Sequence, residues 1–88
     1  MNTQFKESFL KDLRAIKDRD LLARVNEIIQ TVEKVQTPQE IPTLKKLRGE
    51  RNYFRIRIGD YRLGLKIEGQ LVTFVRILNR KEIYRYFP

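Results

Sequence analysis

Histidine and cysteine are both absent from the 88 residues. Without histidine the chain lacks the commonest general base near neutral pH and the commonest metal ligand. Without cysteine it has no disulfide frame and no thiolate nucleophile. No group of carboxylates has metal-ligand spacing, so neither a metal nor a cofactor is expected. No apolar run approaches the ~20 residues needed to span a bilayer, and no signal peptide precedes the charged start. These absences point to a cytoplasmic chain with no membrane partner, folding as one domain over residues 1–88. Acidic side chains are scarce in the second half. Residues 1–42 hold seven basic and seven acidic groups, whereas residues 43–88 hold twelve basic groups against Glu50, Asp60, Glu68 and Glu82. The whole excess of +8 therefore lies in the second half. A lopsided field of this kind favours a polyanion, either nucleic acid or an acidic protein.

What is present is an alternation. From Tyr53 to Ile58, Phe54, Ile56 and Ile58 share one parity and Tyr53, Arg55 and Arg57 the other. After Gly59-Asp60, Tyr61, Leu63, Leu65 and Ile67 alternate with Arg62, Gly64 and Lys66. Period two predicts strands with one buried and one open face. The open face then carries a cluster of guanidinium groups, permanent charges that grip phosphate two-pronged. Arginines at i and i+2 on one strand face stand about 7 Å apart, a spacing that suits successive phosphates of a nucleic acid strand. Like-charged neighbours repel, so such a face is costly unless something negative binds it.

The rest of the chain supplies a cover for the buried face. Phe5, Phe9, Leu13 and Ile16 recur at helical spacing, and Leu21, Leu22, Val25, Ile28, Ile29, Val32 and Val35 draw a stronger stripe. The spacing predicts helices over 5–16 and 20–36, with Asp18 or Asp20 capping the second. So short a break implies an antiparallel helical hairpin. Two prolines between Thr37 and Pro42 end the helix. Strands are expected over 44–47, 53–58, 61–67 and 71–78, the last a central strand with Arg76 sharing the parity of Phe74 and Leu78. Met1 to Gln4 is a weak candidate for a further strand, and 81–87 for a final short helix. The fold class is α+β: a helical hairpin on one face of a small antiparallel sheet, with the arginines on the other face and a short C-terminal helix.

Three runs then carry a likeness: Lys46-Leu47-Arg48-Gly49, Tyr53-Phe54-Arg55-Ile56-Arg57-Ile58-Gly59-Asp60-Tyr61-Arg62-Leu63, and Asn79-Arg80-Lys81-Glu82-Ile83-Tyr84-Arg85. In this order and spacing they resemble the RelE/ParE superfamily of toxin–antitoxin toxins. The resemblance implies a small toxin silenced by a cognate antitoxin protein. In the RelE branch such a toxin enters the ribosomal A site and cleaves mRNA; in the ParE branch it poisons DNA gyrase and cuts nothing. Carried over by position, Arg55 and Arg57 stand where RelE has two lysines. Arg62 and Arg80 match arginines, and Tyr84 matches the tyrosine near the toxin's end. A YoeB-like branch uses a glutamate where this chain has Lys45, and a histidine where it has none.

The resemblance implies a ribosome-dependent, metal-independent mRNA endoribonuclease in which the ribose 2′-OH is the nucleophile. Arg62 and Arg80 would bind the scissile phosphate, with Arg55 and Arg57 stabilising charge. Tyr84 would move a proton or stack on a base; the alternative is a packing aromatic. Arg80 could equally pair with Glu82 or another acid, and Asp60 shapes its turn rather than acting as base. Lys45, Lys46, Arg48, Arg51, Arg76, Lys81 and Arg85 are candidate RNA contacts. The alternative function is a gyrase inhibitor of the ParE kind, or a plain nucleic-acid-binding module.

Overall fold

A computed structural model describes all of residues 1–88. The elements run β1 (Asn2–Phe5), α1 (Glu7–Ala15), α2 (Arg19–Lys34), a 3-10 turn (Pro38–Glu40), β2 (Leu44–Lys46), β3 (Tyr53–Ile58), β4 (Tyr61–Glu68), β5 (Leu71–Asn79) and α3 (Ile83–Tyr86). One five-stranded sheet has the order β1-β5-β4-β3-β2. The α+β class holds, with one correction. The sheet is mixed, because β1 pairs parallel to β5, Asn2 opposite Leu71 through Phe5 opposite Phe74. Phe5 is thereby drawn into a strand, and α1 begins at Glu7 rather than at residue 5.

Helix α2 starts where its cap dictates: the Asp18 carboxylate accepts the backbone N–H groups of Asp20 and Leu21 at 3.0 and 3.2 Å. Helix α1 runs beside β5, from Ser8, whose hydroxyl donates to the Val75 carbonyl at 2.7 Å, to Asp12, which accepts the Ile77 N–H at 3.0 Å. Beyond the end of β1, then, α1 closes the edge of β5. Helix α2 returns the other way, from Arg24 beside Gly59 to the Val35 carbonyl, which accepts from the N-terminal ammonium. Phe9, Leu21, Val25 and Val32 of the helices pack on Ile56, Ile58, Leu63, Leu65, Ile67, Val72, Phe74 and Ile77 of the sheet.

A bulge alters the parity of β5. Gly64 faces Arg76 while Leu65 faces Phe74, so Val75 is an extra residue. Phe74 and Ile77 both enter the core, and Arg76 stands with Leu78 on the opposite face. The expected kinship of Arg76 with Phe74 therefore fails, although Arg76 does share a face with Arg62.

That second face is partly roofed. The C-terminal segment folds over β4 and β5, burying Ile83 and Phe87 completely or nearly so. The Phe87 ring lies flat against Gly64, where an added Cβ would meet ring carbons at 2.8 Å, and edge-on to Tyr53 with centroids 5.6 Å apart. Only a glycine lets the roof come down this far. The final helix is a single turn, shorter than the expected 81–87, because its two anchors, Ile83 and Phe87, bracket it.

Candidate functional site

The β3–β4 hairpin fixes the centre of the site. Its two-residue turn has Gly59 at φ +57°, as a type II′ turn needs at its first position. The register then places Arg57 directly opposite Arg62, and Arg55 opposite Gly64. One strand further out, Lys45 of β2 faces Arg55. Paired residues share a face, so Arg55, Arg57 and Arg62 come together as the alternation implied, and Lys45 joins them.

These side chains line a cleft of about 610 Å³, whose wall is Arg24, Thr43, Lys45, Arg55, Arg57, Gly59 and Arg62. Five of the seven are cations and none is acidic or apolar. The four ion pairs of the molecule, Arg14–Glu7, Lys66–Glu68, Arg76–Asp12 and Arg80–Asp60, use none of the five. The cleft is an uncompensated positive concavity.

Arg62 is its best-fixed member. One guanidinium nitrogen, Nη1, donates to the carbonyls of Gly59 at 3.0 Å and Tyr61 at 2.9 Å. The rest of the planar fork is left for a ligand. Burial pushes its pKa below the usual arginine range, and the charges of Arg57, Arg55 and Arg80 push the same way; Tyr84 acts in the opposite direction. Arg62 stays cationic at neutral pH regardless. The same interactions put Arg80 and Tyr84 within electrostatic reach of it. The Arg80 N–H donates to the Asp60 carbonyl at 2.7 Å, which ties the end of β5 to the hairpin turn. Its side chain stands 3.9 Å from the Asp60 carboxylate, with both groups more than half exposed. The pairing acid is thus Asp60 rather than Glu82, and a contact this open is worth little. Tyr84 is 57% exposed, so it is no core aromatic.

Other candidates lie elsewhere. Arg76 shares the face but is committed: Nε and Nη2 donate to the two Asp12 oxygens at 2.7 and 2.9 Å, and the guanidinium sits 5.3 Å from the Tyr86 ring centre. That bidentate partner raises its pKa against the effect of burial. Phe87, seated on Gly64, separates it from the cleft. Lys46 faces Phe54 and so points to the helix side of the sheet, where it lines a small hollow with Ile41 and Leu44. Arg48 and Arg51 are exposed on the β2–β3 loop, and Lys81 and Arg85 are exposed at the C-terminal turn. Two wall residues escaped the sequence reading. Arg24 gave only one signal, its place beside buried Leu21 and Val25 on α2. Thr43, at φ +59°, gave none.

Fold and cleft together define a small cationic α+β protein with an open positive cleft on its sheet. The model for the ParE toxin of the type II toxin–antitoxin system parDE matches residues 3–84. Toxin RelE3 of Methanocaldococcus jannaschii is 36% identical over 89 aligned positions that take in the whole of both chains. Among solved structures, a chain of the RelB–RelE antitoxin–toxin complex from Methanococcus jannaschii superimposes with a TM-score of 0.81 at 36% identity, over 97% of this chain and 99% of that one. A chain of the toxin–antitoxin complex RelBE2 from Mycobacterium tuberculosis gives 0.70 at 26% identity, over 90% and 96%. The chain belongs to the ParE toxin family of type II toxin–antitoxin systems, and it is RelE-like.

Proposed function

We propose that this chain is a ribosome-dependent mRNA endoribonuclease, a single toxin domain acting in the cytoplasm and silenced by a cognate antitoxin. The observation that carries this reading is the cleft of five unpaired cations, with Arg80 tied by its backbone to the hairpin turn that precedes Arg62. Cleavage needs no nucleophile from the protein. The ribose 2′-OH attacks the adjacent phosphorus in line, the 2′-O–P bond forms, and the P–O5′ bond breaks. The products are a 2′,3′-cyclic phosphate and a 5′-OH, the proton passing from the attacking to the leaving oxygen. Arg62 and Arg80 hold the scissile phosphate, and Arg55 and Arg57 stabilise the charge that builds in the phosphorane, often the largest single contribution. Tyr84 serves the proton transfer, which contributes about 10²–10⁴-fold.

No histidine or carboxylate lines the cleft to act as base, so positioning must supply more of the rate. The ribosome supplies it, so the toxin is expected to be inert on free RNA. The antitoxin would set acidic residues against the basic half and lay an apolar helix beside them. The cationic cleft without a base also suits a second reading, inhibition of DNA gyrase. A primer-extension map of cellular mRNA after induction separates the two. Cuts inside codons support the nuclease; intact mRNA with damaged DNA and continuing translation supports the inhibitor.

A further inference from the structure

Arg24 does not belong to the strands that build the cleft. It rises from α2, on the far side of the sheet, and passes round the tip of the β3–β4 hairpin. Its Nη1 stands 3.5 Å from where a Cβ on Gly59 would be. It has acidic neighbours on its own helix at Asp20 and Glu27, yet pairs with neither. Thr43, also in the cleft lining, is a β-branched residue held at φ +59°, a conformation that costs of order 1–3 kcal/mol and that gathers at ligand sites. The cleft lining thus includes Arg24, Thr43 and Lys45 beyond the residues given a catalytic role. Arg62 and Arg80 stand together where β4 starts and β5 ends, joined through the Arg80 N–H to the Asp60 carbonyl, whereas Arg24, Thr43 and Lys45 come from α2 and the β2 side of the cleft.

We infer that Arg24, with Lys45, forms a second phosphate subsite that takes the mRNA phosphate next to the scissile one. The inference rests on the nuclease reading and deepens it. Two residues along a strand cover about 7 Å, so a wall one or two side chains wide spans one nucleotide step. A subsite of this kind holds the backbone in register so that the 2′-OH meets its phosphorus in line. An arginine sent from another element, free of ion pairs, fixes that second point without adding a further like charge to the strand pair.

The test is a coupling measurement on programmed ribosomes, with single-turnover cleavage by the full chain. Arg24→Ala is compared with the parent on mRNA in which either neighbour of the scissile phosphate is a neutral methylphosphonate. Arg24 is exposed on a helix, so the variant should keep its melting temperature. Arg24→Ala should raise the toxin concentration for half-maximal rate roughly tenfold, as loss of one charge-assisted hydrogen bond implies. One methylphosphonate should impair the parent by a similar factor and barely impair the variant, since both remove the same contact. Arg24→Lys should recover part of the loss. Additive effects at both positions, or a variant equal to the parent, overturn the second subsite alone. A parent that never cleaves overturns the nuclease reading, and this inference with it.

Discussion

Arg57 and Arg62 are opposed across the β3–β4 ladder with no counter-ion, whereas Arg76, on the same face, is held by both oxygens of Asp12. One residue type thus serves two ends, and its carboxylate partner decides which. Like charges directly opposite cost a few tenths to about 1 kcal/mol. Arg57→Thr should therefore stabilise the chain by about 0.5–1 kcal/mol in urea unfolding while weakening toxicity on induction. A fall in stability would mean that the pair is compensated. Tyr84→Phe keeps the ring and the charge and removes only the hydroxyl. Cleavage should drop about 10²–10⁴-fold with ribosome affinity nearly unchanged, whereas Arg80→Ala should weaken both. Undiminished cleavage by Tyr84→Phe would make Tyr84 a stacking residue. At this scale the alternation was legible, and Arg55, Arg57 and Arg62 followed from it. Arg76 was placed beside Phe74 because a bulge has no local signature in an apolar run. Arg24 was invisible because helical periodicity tells which residues are buried, not what an exposed one reaches around.

Among the elements, α3 depends most on one small residue. Phe87 lies on Gly64, and Ile83 and Phe87 fix the turn that presents Tyr84. Gly64→Ala should destabilise the chain by about 1–3 kcal/mol through overpacking and should reduce cleavage further by displacing Tyr84. Phe87→Leu in the same chain should restore part of both; no recovery in thermal melting would show that Gly64 matters for another reason. The 3-10 turn at Pro38–Glu40 has a pH dependence. The Glu40 carboxylate accepts from the Gln36 and Thr37 N–H groups and the Thr37 hydroxyl, and these bonds hold its pKa below the ordinary 4.5. A carboxylate whose pKa is lowered by folding contributes its stability above the unfolded value and loses it as pH falls through the folded one. Protection of the Gln36 and Thr37 amides, taken relative to their intrinsic exchange rates, should thus fall as pH drops below about 4.5, and Glu40→Gln should abolish that step. The helices and the β3–β4 hairpin were legible because their periods are long or their turn is marked by glycine. Parallel pairing of β1 with β5 was not, since four residues of mixed polarity carry no register signal.

Over the whole molecule, the excess charge lies in the half that forms four of the five strands, and the neutral half supplies β1 and the helical cover. This asymmetry gives the protein a positive face that steers acidic partners. Association with the antitoxin should slow as salt rises, because exposed charges are screened within about 8–10 Å near physiological strength. A rate indifferent to salt would remove electrostatics from that encounter. Under the proposed function, the same face draws the molecule to ribosomal RNA, and a site without a strong base cuts where its substrate is held. The direct test of this account is incubation of the purified chain with an mRNA, free and bound in a programmed ribosome. The account predicts cleavage within the A-site codon only in the ribosome-bound sample, leaving a 2′,3′-cyclic phosphate and a 5′-OH. An intact mRNA in both samples, with DNA supercoiling by gyrase blocked by the same preparation, would contradict it.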